Sequence, residues 1–348
     1  MTKLMYFNNH MNMKNSSMNM IFFSTLMFST MITLNSSSWM MAWMGLEMNL
    51  LSFIPIMMNN SNNYKISSST MTYFIVQTSS SSILLMTMMI MNLKSNMENL
   101  IMMKNILQIT LIMKLGAAPL HWWLPKIINN LSWMNCFILL TWQKIAPLFL
   151  LISLNNSPIL YLSMMMSSFI GAILGMNQNS LKMIMMYSSI NHLSWMMMAM
   201  NLNLILMKFY FLIYSMISMM ICITMNNFNL NFMNQLFNNF NNNIYTKMMT
   251  MFMFFSMAGI PPFIGFLPKI IILMLMTKNF LKFEIIFFII MTLITLSYYL
   301  NPLISALTLM NSNNKWTNKI NYFNNKMFFI IIMCSLIMML LIMPMFNY

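Results

Sequence analysis

The stretch Gly116-Ala-Ala-Pro-Leu-His-Trp-Trp-Leu-Pro-Lys126 recurs later in the chain as Gly259-Ile-Pro-Pro-Phe-Ile-Gly-Phe-Leu-Pro-Lys269. Both copies share the pattern Gly-x-x-Pro-x-x-x-x-Leu-Pro-Lys, and each interrupts an apolar run. Proline inside a helix removes a backbone donor and clashes one turn back. In a membrane this is tolerated only where protein or an aqueous cavity covers the freed carbonyls. The pattern therefore predicts two broken membrane helices, with the breaks at Pro119, Pro261, Pro262 and Pro268.

The composition around these two stretches indicates an integral membrane protein. Of the 348 residues, 59% are hydrophobic and only 6% are charged, whereas a soluble domain carries about 25% charged residues. Apolar runs long enough to cross a bilayer follow one another along the chain. A hydropathy window of about 19 residues predicts eleven helical spans, at approximately 18–34, 38–58, 68–91, 99–118, 131–153, 158–176, 181–200, 202–225, 247–276, 283–309 and 326–345.

The two broken spans also predict internal symmetry. In this topology the fourth and ninth spans enter the membrane from opposite sides, as in an inverted-topology repeat whose broken helices bind coupling ions near the midplane. We expect an all-α integral membrane domain over residues 18–345. One repeat covers about 18–153, a second covers about 158–309, and a final helix lies at about 326–345. Residues 1–17 form a polar N-terminal segment.

Four charged side chains lie deep inside predicted spans: Glu47, Lys114, Lys144 and Lys269. Each costs between roughly 2.5 and more than 10 kcal/mol at the bilayer centre, so an intramembrane charge is by default a functional group. Burial disfavours the charged form of a lysine, whereas a nearby carboxylate favours it. Glu47 and Lys114 are therefore a candidate pair whose separation controls whether the lysine holds its proton. A fixed salt bridge with snorkelling lysines is the alternative. The set predicts an ion or proton route.

Other polar residues within the spans carry weaker hypotheses. His121 and His192 are candidate proton relays because imidazole titrates near neutral pH, although a lone histidine among apolar residues is more often a hydrogen-bonded core residue. Lys208 lies only about six residues into its span and is expected to snorkel to the interface. The run Ser79–Ser82 is expected to bond helix carbonyls or to help helices pack, with water binding beside the lysines as the alternative.

The residue pattern argues against several classes of site. The formal charge of +14 comes from lysines scattered singly between apolar runs, which do not form a basic and aromatic platform for nucleic acid. Cys136, Cys222 and Cys334 lie far apart, so neither a metal nor an iron–sulfur site is predicted. No Gly-rich phosphate loop occurs. We expect no nucleic-acid partner, no metal, and no NADH or flavin bound by this chain.

Residue usage indicates an organellar gene. The chain has no Arg and no Asp, is rich in Phe, Ile, Asn and Lys, and contains 56 Met. A strongly AT-rich gene in a code that reads ATA as Met, as in many animal mitochondria, explains this usage. If the N-terminus faces the matrix, nine loop lysines lie on the matrix side and four on the opposite side, in agreement with the positive-inside rule. We expect a multi-pass protein of the mitochondrial inner membrane in this orientation.

Five motifs together resemble a known family. They are Trp43-Met-Gly-Leu-Glu-Met-Asn49, Met113-Lys-Leu-Gly-Ala-Ala-Pro-Leu-His-Trp-Trp123, Thr141-Trp-Gln-Lys-Ile-Ala-Pro147, Tyr187-Ser-Ser-Ile-Asn-His-Leu-Ser-Trp195 and the Gly259–Lys269 stretch. In this order they resemble the subunit 2 family of mitochondrial NADH dehydrogenase (ubiquinone), the antiporter-like membrane-arm subunits of respiratory complex I. The resemblance implies two inverted five-helix repeats and a final helix, without three N-terminal helices of the bacterial relatives.

The resemblance also implies roles for the buried charges. It maps the family's intramembrane glutamate onto Glu47, its broken-helix lysine onto Lys114, its bridging lysine onto Lys144 and its second-repeat lysine onto Lys269. It implies proton translocation driven by electron transfer from NADH to ubiquinone, with NADH, FMN, iron–sulfur clusters and ubiquinone held by other subunits. Neighbouring antiporter-like and other membrane-arm subunits and membrane lipids are the implied partners. A stand-alone or Mrp-type cation/proton antiporter subunit and a non-conducting membrane scaffold are the alternatives.

Overall fold

The computed structural model of the chain describes residues 2–58, 64–93, 97–154, 157–233, 235–236 and 244–308. Most of these residues are helical, and an isolated antiparallel bridge joins Ser180 to Phe232. The predicted all-α membrane class is therefore confirmed. The predicted final helix at 326–345 lies outside the described residues.

The first seven helices include four long ones and three short ones. Their bounds are α1 (Thr2–Leu34), α2 (Trp39–Met58), α3 (Tyr64–Leu93), α4 (Met97–Leu115), α5 (Trp123–Ile128), α6 (Trp133–Leu140) and α7 (Trp142–Ile152). The later helices are α8 (Pro158–Met176), α9 (Leu181–Leu202), α10 (Leu204–Asn227), α11 (Ile244–Ala258), α12 (Phe266–Lys278) and α13 (Lys282–Thr308). Helix α1 begins at Thr2 and runs unbroken past residue 17, so the predicted polar N-terminal segment continues into the first span without a change of backbone conformation. The apolar part of α1 is Met18–Leu34.

Six helices of the described residues are long and apolar enough to cross a membrane. They are Trp39–Met58, Tyr64–Leu93, Trp133–Ile152, Pro158–Met176, Leu204–Asn227 and Lys282–Asn301, where Trp133–Ile152 combines the consecutive helices α6 and α7. The prediction of eleven spans is therefore not confirmed as a count. One reason is the breaks themselves, because α11 and α12 have 15 and 13 residues and a full crossing needs about 20.

The chain divides into two compact units, residues 1–163 and 164–348. In the first unit α1 packs on α2, α2 on α3, α3 on α4 and α5, and α4 on α7. In the second unit α9 packs on α10 and α12, α10 on α11, and both α11 and α12 on α13. The repeat boundaries at 18–153 and 158–309 remain a prediction.

Helix α9 is enclosed along most of its length, because every side chain from Met183 to Met200 is buried. Helix α8 approaches it closely at Gly171, where a Cβ atom would lie 2.8 Å from the backbone nitrogen of Asn191. Small residues at such crossings allow membrane helices to pack backbone to backbone. The polar residues of α9 must therefore find partners inside the protein.

Candidate functional site

The first broken helix ends at a glycine in the left-handed region. Helix α4 stops at Leu115, and Gly116 has a φ of +68°. The amide of Ala117 then donates to the carbonyl of Ile112 at 3.2 Å, and that of Gly116 donates to Met113 at 3.2 Å. This pair of bonds is the Schellman arrangement, in which a glycine satisfies the last carbonyls of a helix. The chain resumes as α5 at Trp123.

The second broken helix repeats this geometry. Helix α11 stops at Ala258, Gly259 has a φ of +77°, and the amide of Ile260 donates to the carbonyl of Phe255 at 3.3 Å. Helix α12 begins at Phe266, seven residues after Gly259, just as α5 begins seven residues after Gly116. The two copies of the sequence pattern therefore share a left-handed glycine at the helix end and the same spacing to the next helix.

The prolines of the two copies have different positions. Pro119, Pro261 and Pro262 lie in the non-helical connections, as expected. Pro268 does not break a helix, which corrects the prediction, because it is the third residue of α12. The first four amides of a helix have no intrahelical acceptor, so proline is tolerated there without loss of a hydrogen bond. Pro125 has the same position in α5.

Lys269 reaches back across the second break. Its side chain is only 5% exposed, and Nζ donates to the carbonyl of Ala258, the last residue of α11, at 2.9 Å. A Cβ atom on Gly259 would lie 2.9 Å from Nζ, so the glycine leaves the space that the ammonium group occupies. Cations are stabilised at helix C-termini, where unpaired carbonyls carry partial negative charge. The broken helix thus supplies Lys269 with a partner that is not a carboxylate.

Lys126, which occupies the same register as Lys269, has a different environment. It is exposed, and its Nζ lies 5.1 Å from the ring centroid of Trp122. The first unit therefore buries a different lysine, Lys114, in the last turn of α4, where its side chain is 6% exposed.

Glu47 acts on Lys114 through electrostatic attraction. The carboxylate is half-buried in α2, and its Oε1 atom is buried without a hydrogen-bonding partner in the described part of the chain. Glu47 also acts electrostatically on the buried Tyr73 of α3. The fixed salt bridge considered as the alternative is absent among the described residues. Glu47 and Lys114 are thus close enough to interact but are not locked together.

Lys114 and Lys144 line the same internal cavity in the first unit. The cavity volume is about 20 Å³, which is enough for about one water molecule. Lys144 is 2% exposed and belongs to α7. Its helix is separated from α6 at Thr141, whose hydroxyl donates to the carbonyl of Phe137 at 2.7 Å.

A polar network borders this cavity. Gln143 donates to the side-chain oxygen of Asn49 at 3.1 Å and accepts from the hydroxyl of Tyr73 at 3.3 Å. Gln77 donates to the carbonyl of Lys114 at 3.4 Å. Pro147 lacks the amide that would otherwise bond the carbonyl of Gln143 one turn earlier. Polar groups from α2, α3 and α7 therefore meet beside the two lysines.

The remaining candidates have clear positions. His121 lies in the connection between α4 and α5, not in a helix, and its Nδ1 is 3.3 Å from the carbonyl of Pro119. His192 is buried in α9, and its Nδ1 is 2.8 Å from the hydroxyl of Tyr210. Lys208 is exposed, and its snorkelling to the interface stays a prediction. Each hydroxyl of Ser79–Ser82 donates to the carbonyl three residues earlier, in agreement with the expected bonds to helix carbonyls.

Residues 36–295, about three quarters of the chain, match the family model described as NADH:quinone oxidoreductase/Mrp antiporter, transmembrane. The chain belongs to this family. NADH-ubiquinone oxidoreductase chain 2 of Anopheles gambiae is 43% identical over 313 residues, which cover 89% of this chain and 91% of the relative.

Two solved structures share the fold of this antiporter-family chain. A chain of respiratory complex I from Thermus thermophilus matches with a TM-score of 0.77 and 16% identity, over 86% of this chain and 72% of that one. A chain of the Mrp complex from Dietzia sp. matches with a TM-score of 0.74 and 13% identity, over 85% and 61% of the two chains.

The antiporter-family site contains residues that sequence reasoning did not select. Asn49 lies two residues after Glu47 and Gln143 directly precedes Lys144, so their proximity to the candidate residues in the sequence could have identified them as site residues. The sequence around Tyr73 and Gln77 of α3 does not indicate that they belong to the site, because only the packing of α3 on α2 and α4 brings them to the cavity. No group of three or more metal-ligating side chains occurs in the residues that the structure describes.

Proposed function

We propose that this chain is a proton-translocating membrane subunit of the mitochondrial respiratory complex that transfers electrons from NADH to ubiquinone. The observation that carries the proposal is the buried cavity shared by Lys114 and Lys144, within the electrostatic influence of Glu47. An amine accepts or releases one proton, and a cavity that holds about one water molecule lets the proton move without exposing a bare charge to lipid.

The first unit supplies an order of events for proton transfer. The negative charge of Glu47 stabilises the ammonium form of Lys114. A change that weakens this attraction favours the neutral amine of Lys114, and the released proton can then pass to water or to the neutral amine of Lys144 in the same cavity. Asn49 and Gln143 hold the polar wall of the cavity in place. Glu47 is therefore a modulating residue, and the two lysines are the groups that carry the proton.

Lys269 is the corresponding proton site of the second unit. Its partner is the carbonyl of Ala258, so its charge does not depend on a carboxylate. A carbonyl accepts from an ammonium group and also from the amine that remains after deprotonation. The same bond can hold the side chain in place in both protonation states.

Electron transfer belongs to other subunits in this proposal. The Anopheles gambiae relative is named NADH-ubiquinone oxidoreductase chain 2. A solved structure with the same fold is a chain of respiratory complex I from Thermus thermophilus. We assign NADH, FMN, iron–sulfur clusters and ubiquinone to those other subunits. This chain receives the free energy through contacts with neighbouring membrane-arm subunits, and lipids cover its exposed apolar side chains.

The location follows from the same arguments. The residue usage favours a mitochondrial gene, and the helices long enough to span a bilayer require a multi-pass membrane protein. We place the protein in the inner membrane, with its N-terminus on the matrix side because most loop lysines then face the matrix.

A cation/proton antiporter subunit is the second candidate, favoured by the fold similarity to a chain of the Mrp complex. Mitochondrial residue usage argues for the respiratory complex instead. The two are separated by the complex with which the chain co-migrates, and by sodium/proton exchange from the isolated chain, which only the antiporter candidate predicts. A non-conducting scaffold predicts that loss of Lys114 leaves pumping unchanged.

The test is proton pumping per NADH oxidised in vesicles that contain the purified complex, normalised to assembled complex. Lys114→Met and Lys144→Met should each lower pumping by about tenfold or more if proton transfer through them is obligatory. Lys104→Met is the matched control, because Lys104 lies on the same helix as Lys114 but is exposed. Normal pumping in both buried-lysine variants, at normal assembly, would exclude the proposal.

A further inference from the structure

Buried hydroxyl and imidazole groups from three helices of the second unit lie together, and the lysine route described above does not use them. Each is at most 6% exposed. We call these residues the tyrosine cluster: Ser188, Ser189 and His192 of α9, Tyr210 and Tyr214 of α10, and Tyr298 and Tyr299 of α13.

The inner part of the tyrosine cluster is hydrogen-bonded. Nδ1 of His192 lies 2.8 Å from the hydroxyl of Tyr210. The ring of Tyr214 lies 5.1 Å from the His192 ring, centroid to centroid, and its hydroxyl is hydrogen-bonded with Ser189. His192 thus has two tyrosine side chains of α10 as neighbours.

The outer part contains two hydroxyl groups without partners. The rings of Tyr298 and Tyr299 are 4.6 Å apart, and both side chains are fully enclosed. Tyr299 lies close to Ser188 and to Tyr298, yet neither phenol is in hydrogen-bonding geometry with any described residue. Phenol groups in a protein interior are almost always satisfied by protein or by ordered water. Two adjacent unsatisfied phenols therefore indicate buried water.

The members of the cluster are arranged along the helix axes. Ser188 and His192 are four residues apart on α9, as are Tyr210 and Tyr214 on α10, so each pair lies one turn apart on one face. Tyr298 reaches the end of α8, where a Cβ atom on Gly175 would lie 2.8 Å from its ring. Helix α8 ends at Met176, and α9 begins at Leu181. His192 is eleven residues after Leu181, the first residue of α9, which corresponds to about 16 Å along the helix axis.

We propose that the tyrosine cluster holds ordered water and forms a proton pathway from the α8–α9 connection to His192 inside the second unit. This inference rests on the proposed function and adds the residues by which protons enter or leave that unit. Each phenol or water accepts one proton on its oxygen and releases its own to the next acceptor, so no member gains net charge. His192 ends the pathway because its two ring nitrogens accept a proton on one side and release one on the other.

The experiment uses the assembled complex in reconstituted vesicles. Tyr298→Phe combined with Tyr299→Phe, and Tyr210→Phe alone, remove hydroxyl groups but keep the rings. Tyr161→Phe is the control, because Tyr161 is 38% exposed. We expect the cluster variants to lower proton pumping per assembled complex by about threefold or more. This loss is smaller than the loss expected for an obligatory acid–base group, because neighbouring water partly replaces a phenol. The control should pump normally.

Stability separates this role from a structural one. In this proposal the two phenols bond to water and not to a fixed protein group, so their removal leaves no protein donor or acceptor unpaired and assembly should be near normal in the double variant. An experimental structure of the wild-type complex should show ordered water in hydrogen-bonding contact with Tyr298 or Tyr299. Normal pumping in the cluster variants, or a dry pocket at these two phenols, would overturn the inference. If Lys114→Met and Lys269→Met also pump normally, the proposed function itself fails.

Discussion

The ammonium group of Lys269 donates a hydrogen bond to the carbonyl of Ala258 at 2.9 Å, and this bond joins the two halves of a broken helix. The seven residues 259–265 separate those halves. The lysine therefore serves as a C-terminal cap for one half while belonging to the first turn of the other. The proton site that we propose at Lys269 would depend on the break itself, since an unbroken helix offers no free carbonyl there.

Lys269→Met should abolish most proton transfer through the second unit, because methionine has similar length but cannot hold a proton. We expect pumping per assembled complex to fall by about tenfold or more. The free carbonyl of Ala258 adds a stability cost of about 1–3 kcal/mol, so the amount of assembled complex must be measured alongside pumping. Lys126→Met is the matched control, because Lys126 has the same register but is exposed. Equal losses in the two variants would contradict the assignment.

Glu47→Gln should reduce pumping and turnover more than it reduces assembly. The substitution keeps the shape of the side chain but removes the charge that acts on Lys114. Of the other two carboxylates in the sequence, Glu284 belongs to the second unit. The control variant is Glu284→Gln, which removes a carboxylate from the first turn of α13 and should pump normally. Unchanged pumping per NADH in Glu47→Gln would remove its modulating role.

Gly259→Ala should disturb the second break in two ways. Its φ of +77° is unfavourable for alanine, by about 1–2 kcal/mol, and the added methyl group would lie 2.9 Å from Nζ of Lys269. We expect less assembled complex, and lower pumping in the complex that does assemble. Ile260→Ala is the control at the next residue, which lacks the left-handed backbone. The prediction is wrong if the glycine variant assembles and pumps like the control.

Lys208→Met should have little effect on coupled activity. Lys208 is exposed on α10, and an exposed lysine contributes little when an apolar side chain of similar length replaces it. The measurement is again pumping in vesicles at equal complex content. A large loss with an intact complex would mean that α10 carries a proton site that the buried lysines do not account for.

The membrane class, the broken helices and the four intramembrane charges could be predicted from local sequence. Apolar run length determines whether a segment can span a bilayer. The Gly-x-x-Pro pattern determines where a helix must stop, because glycine adopts the left-handed backbone and proline lacks a donor. The same local rules failed for Pro268, since a proline in the first turn of a helix looks like a break in sequence. The number of spans was also uncertain, because broken helices distribute their length between two pieces.

Tertiary packing alone decided what the buried charges contact. Lys114 and Lys144 share a cavity because α4 packs on α7, thirty residues along the chain. Gln143 meets Asn49 and Tyr73 across separations of 94 and 70 residues. His192 meets Tyr210 because α9 packs on α10. Periodicity specifies which face of a helix is apolar, but not which helix covers that face. The sequence therefore determined which residues are costly to bury, and only the packed helices determined the partners that make their burial possible.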